Sequence, residues 1–154
     1  MARQVWPREG ICVRAGKLAS RLFRRRVPQK DKRLFVFVET DWCFADGVAV
    51  SSGCTLGRRT MRLVDYGKVA VTFVDTVTRQ AIRIRPNPEA RERSWKYAHE
   101  AQDAWHAKLK GYKEMQTCEL LVFEPVRLLF SVEDVVGKPV RGVVCDHYDE
   151  ELMN

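Results

Sequence analysis

Apolar and polar positions change period several times along the chain, and each change predicts an element. Ile11, Ala15, Leu18, Ala19, Leu22 and Phe23 recur at three- and four-residue spacing, the stripe of a first helix. Pro28 closes that segment, because proline has no N–H to give a helix. Leu34–Thr40 is β-branched and aromatic and predicts a strand. A short helix over Phe44–Ser51 follows, with Asp41 placed to cap it and Gly53 to stop it. The runs "TMRLVDYG", "KVAVTFVDT" and "QAIRIRP" predict three strands in series, an antiparallel meander in which Val69, Val71 and Phe73 alternate.

The longest helical pattern begins after Asn87, with Pro88 in its first turn. It carries Trp95, Ala98, Ala101, Trp105 and Leu109 on one stripe and stops at Gly111. "TCELLVF" predicts a helical turn and "VRLLFSV" a strand; a last strand is expected around Arg141–Val144, then a polar tail. The fold class is α+β: one mostly antiparallel sheet with helices packed on it. A chain of 154 residues fits one domain with a single core.

Composition narrows the class. Hydrophobic residues make up 45% and charged residues 31%, a folded balance rather than a disordered one. No apolar run nears the length that spans a bilayer, so no membrane is expected as a partner. "MARQVWPREG" lacks the apolar core of a secretory signal, which makes the cytoplasm the expected compartment. There, five cysteines do not read as a disulfide framework. The net charge of +7 gathers in "RLFRRR" and "RIRPNPEARER". That is either a solvated surface or the footprint of an anionic partner. Trp95 and Tyr97 near Arg83, Arg85, Arg91 and Arg93 would suit base stacking, so a nucleic acid or an acidic protein is one alternative partner. A purely structural, dimeric role through Trp95, Trp105 and Leu109 is another.

Candidate chemistry concentrates between Glu39 and Phe73, in "ETDWCFADGVAVSSGCTLGRRTMRLVDYGKVAVTF". Cys43 starts the proposed helix, where exposed N–H groups favour thiolate, unless it is a buried structural thiol. Cys54 follows a glycine that can present sulfur to a metal, and Cys12 on the first helix is its candidate co-ligand or else core. Asp46, one helical turn after Cys43, is a candidate ligand, a partner to a ligand, or a cap. Lys68 could meet a phosphate or carboxylate, or simply lie in solvent. His99, His106 and His147 lie away from these cysteines, and Cys145 with His147 makes only half of a metal knuckle. No phosphate-loop, dinucleotide-binding, zinc-protease or nucleophile-elbow motif occurs, so no catalytic residue is assigned.

The same segment resembles the FmdE family, named for formylmethanofuran dehydrogenase. That family's signature runs from a strand ending in Glu-Thr through Cys-x-x-Asp and Gly-Cys-Thr-x-Gly to Asp-Tyr-Gly-Lys. Here these are Glu39, Thr40, Cys43, Asp46, Gly53, Cys54, Thr55, Gly57, Asp65, Tyr66, Gly67 and Lys68. Members usually open with His-x-Cys-Pro-Gly, where this chain has "REGICVRAG", and many end in a zinc ribbon, where this chain has Tyr148 in place of a cysteine. The resemblance implies an FmdE-like domain over 1–144 and a truncated ribbon start or polar tail over 145–154. It implies a homodimeric module holding a transition metal, zinc first, through Cys12 and Cys54 with Cys43 and Asp46 near. Such a module would assist the subunits of a molybdenum or tungsten metalloenzyme.

Overall fold

The computed structural model describes residues 7–129 together with residues 131 and 135. Leu34–Val38 (β1) is buried along nearly its whole length, which its unbroken apolar run demands, since both its faces are covered. Around it forms a five-stranded sheet with Met61–Leu63 (β2), Val71–Asp75 (β3), Ala81–Pro86 (β4) and Leu121–Pro125 (β5), in the order β2-β1-β3-β4-β5. Among the described residues three of the four pairings are antiparallel, and β2 runs parallel to β1, with Val36 opposite Met61. The α+β expectation of a mostly antiparallel sheet with helices holds.

The expected meander does not begin where the sequence suggests. The helix Trp42–Ser52 (α2) carries the chain from β1 across to β2, and a parallel neighbour needs such a crossover. Among the described residues the hairpin is therefore β3–β4 alone, and β2 lies at the far edge of the sheet. Gly53 ends α2 as expected, at φ +74°, a conformation cheap only for glycine. Asp41 precedes α2 in extended conformation, but its side chain makes no capping bond.

Alternation along β1 sorts the core. Leu34, Val36 and Val38 join Val71, Phe73 and Ile84 beneath the helices, while Phe35 packs with Val74 and Ala81 on the opposite face. Phe37, Val126, Leu128 and Val135 cover that second cluster. Helix Pro7–Leu22 (α1) buries Ile11, Cys12, Ala15 and Ala19. Arg14 reaches across to the carbonyls of Tyr112 and Met115, at 3.1 and 2.5 Å, and to the Thr117 hydroxyl at 2.9 Å. It thereby satisfies carbonyls that a helix end leaves without partners.

The long helix expected from Asn87 to Gly111 is broken in two. Ala90–Arg93 (α3) runs into a 3₁₀ turn, Ser94–Tyr97, and a new helix, Ala104–Glu114 (α4), starts after Asp103. The Asp103 carboxylate accepts the N–H groups of Trp105 and His106 at 2.8 and 2.9 Å, a helix start inside the expected helix. Gly111 lies within α4, where the chain folds back: a Cβ there would come within 2.6 Å of Ser94. Thr117–Leu120 (α5) is the helical turn expected at "TCELLVF", but the same segment continues into β5. Residues 126–129 of "VRLLFSV" form no strand. The strand expected at Arg141–Val144, the tail over 145–154 and His147 lie outside the described residues.

Candidate functional site

The four proposed metal ligands sit in different surroundings. Cys12 is fully buried where α1 crosses α2. Its sulfur faces Gly47, where a Cβ would lie 1.8 Å away, and one turn further on Gly16 faces Ser51 in the same manner. The Ser51 hydroxyl donates to the Cys12 carbonyl at 3.3 Å. Small residues at i and i+4 on both helices thus let the two backbones approach, and the thiol fills the space left.

Cys54 is also fully buried. Its thiol donates to the Leu34 carbonyl at 3.2 Å and accepts from the Gln29 amide at 3.0 Å. Gln29 in turn donates to the Leu34 carbonyl at 2.6 Å and accepts the Leu34 N–H at 2.7 Å. Burial pushes the Cys54 thiol up to about 11, against smaller opposing pulls from Ser52, Thr60, Arg58 and Gln29. Leu34 and Gln29 thus fill the surroundings of the sulfur. Cys43 is half-buried near the start of α2, and Asp46 is exposed one turn later. None of Cys12, Cys43, Cys54 or Cys118 is in a disulfide.

Among the described residues, no three His, Cys, Asp or Glu side chains come together where they could hold a metal ion. Of the donor set implied by the resemblance, two sulfurs are packed in the core, and among the described residues no third donor joins them. His99 and His106 are exposed, and His106 pairs with Asp103 at 2.9 Å.

Two features of the same segment escape a reading centred on cysteine. Glu39, buried at the end of β1, takes a two-point bond from Arg83 on β4 at 2.5 and 2.7 Å. That bond holds the Arg83 guanidinium firmly charged. The Glu39 carbonyl also accepts the N–H groups of Tyr66 and Lys68, at 3.0 and 3.1 Å, and so fixes the Asp65–Lys68 loop against β1. Lys68 then lies on the wall of an open cavity of about 370 Å³, together with Arg83, Arg85, Arg91 and Tyr112. One signal was legible: in "RIRP", Arg83 and Arg85 alternate with Ile82 and Ile84, the period that puts two arginines on one strand face.

Residues 7–125 match the model of a family described as FmdE, molybdenum formylmethanofuran dehydrogenase operon. A curated protein of Archaeoglobus fulgidus, described as a probable S-adenosyl-L-methionine-binding protein, is 38% identical over 56 residues, 36% of this chain. The match spans only 15% of that relative's length. Among solved structures, a tungsten formylmethanofuran dehydrogenase FmdE-like protein from Syntrophus aciditrophicus shares the fold. The TM-score is 0.54 at 17% identity, over 90% of this chain and 73% of that one.

Proposed function

The chain belongs to the FmdE family, and from that premise we propose that it serves a formylmethanofuran dehydrogenase-type system as a non-catalytic accessory module. In this reading the motif cysteines hold the fold together and the surface does the binding. The observation that carries it is the placement of Cys12 and Cys54. One is sealed at a helix crossing; the other is a fully buried thiol bonded to Leu34 and Gln29. Both sulfurs are enclosed by protein groups rather than turned to an open position.

Two rival activities fit the molecule less well. S-adenosylmethionine carries a sulfonium cation, which the cations around the cavity would repel. A nucleic-acid track needs a run of unpaired cations. Here Arg25, Arg83 and Arg93 are paired with carboxylates, and Lys68, Arg85 and Arg91, which make no ion pair among the described residues, gather at one cavity rather than along a track.

Elemental analysis of freshly purified protein, with no metal added, tests the reading. The expected result is well below stoichiometric metal, unchanged in Cys54→Ser. Stoichiometric zinc, iron or nickel that is lost in Cys54→Ser or Cys12→Ser overturns it and restores a metal centre.

A further inference from the structure

The cavity beside the Asp65–Lys68 loop has an unbalanced charge. Four cations line it, Lys68, Arg83, Arg85 and Arg91, and no carboxylate does among the described residues. Arg83 is committed elsewhere, to Glu39 at 2.5 Å and Glu124 at 3.2 Å. Lys68, Arg85 and Arg91 make no ion pair among the described residues. Arg85 is the informative member, because it is half-buried on a strand. A cation drawn part-way out of water gains by a counter-charge, and none of the described residues supplies one.

The rest of the wall adds a donor and an apolar surface. Tyr112 has its ring largely buried, and its hydroxyl, which is not a buried unpaired atom, stays accessible and feels the charge of Arg91. Val69, Ala70, Pro86, Pro88 and Ala90 supply apolar lining. The volume of about 370 Å³ is that of a small-molecule site. The elements that bring these groups together are tied in place: the loop is bonded to the Glu39 carbonyl, β4 lies between β3 and β5, and α4 is bonded by Arg14.

We propose that this cavity is a binding site for a small molecule bearing a multiply charged oxyanion, phosphoryl or clustered carboxylate. Lys68, Arg85 and Arg91 bind the anion, Tyr112 donates to it, and Arg83, locked by Glu39, holds the field in place. A cleft lined by one sign of charge also concentrates such ligands at its mouth. The inference does not depend on the state of the cysteines, so a metal found at Cys54 would leave it standing.

Isothermal titration of the full chain with pyrophosphate, and separately with citrate, at fixed ionic strength tests it. Saturable binding of one or both is expected, and which one binds tighter tells phosphoryl from carboxylate chemistry. Arg85→Gln loosens binding about tenfold or more, the scale of a lost charged hydrogen bond. Lys68→Gln, on an exposed loop, loosens it in the same direction and keeps the test decisive should Arg85→Gln not fold. Arg26→Gln removes the same charge from an exposed position outside the cavity and changes binding by no more than about twofold, because solvent screens it. No saturable binding of either probe overturns the proposal. So does equal loosening by Arg26→Gln, or binding confined to a single-stranded oligonucleotide and indifferent to Arg85→Gln.

Discussion

Gly47 explains Cys12 better than any property of the thiol does. A methyl group at Gly47 would stand 1.8 Å from the Cys12 sulfur, so one helix must give way. Gly47→Ala is therefore expected to cost about 1–3 kcal/mol, the usual range for overpacking. Urea unfolding measures it, with Gly57→Ala as the control, since nothing lies within 4 Å of a Cβ there. Equal stability of the two variants would show that the crossing is not tight. Cys12 was legible in the sequence as a residue of the first helix that was either a ligand or core. Its partner across the crossing was not, because periodicity gives the face of a helix and not what meets it. Cys54 misled for a related reason: a glycine before a cysteine looks like a site, and Gln29, which occupies its sulfur, lies far off in sequence.

At the scale of elements, the apolar runs marked β1 to β4 but neither β5 nor all the strand neighbours. "KVAVTFVDT" and "QAIRIRP" pair as a hairpin, whereas "TMRLVDYG" pairs with β1 through a crossover that period cannot reveal. The helix break was encoded in Asp103, whose capping role competes with the apolar stripe around it. Asp103→Ala should speed amide exchange at Trp105 and His106 while leaving β1 and β3 protected. Unchanged exchange at those two amides would mean that the cap does not hold the start of α4.

The hairpin end carries the element-level pH dependence. Burial alone would raise the Asp75 carboxyl, but bonds from Arg33 and the N–H groups of Thr78 and Val77 outweigh it and hold it below the usual range. A folded pKa below the unfolded value adds stability that is complete above the unfolded value, about 3.9 for Asp, and is lost as pH falls through the folded one. Wild-type stability should thus fall on acidification below that range. Asp75→Asn should be less stable at neutral pH and show a flatter acid limb in urea titrations; parallel limbs would remove Asp75 from the acid transition.

For the whole molecule, the sequence conveyed class and family: an α+β domain whose family match spans residues 7–125. It did not convey how its chemistry divides. Cys12 and Cys54 went inside, and the charges that looked like ordinary solvated surface converge from a loop, a strand and one helix. That convergence depends on the β1–β3–β4 order and on the fold-back of α4, both of them long-range outcomes. Among the described residues, no helix is long and apolar enough to cross a membrane.

Alkylation mapped by peptide mass spectrometry tests the central claim most directly. The native protein is treated with iodoacetamide at about pH 8, where an ordinary exposed thiol reacts readily, with and without a strong chelator. The account predicts fast modification of exposed Cys118, and protection of Cys12 and Cys54 until denaturant is added, the same with chelator as without. Modification of Cys12 and Cys54 in the folded protein once the chelator is present would contradict it, since sulfurs released by a chelator were holding an ion.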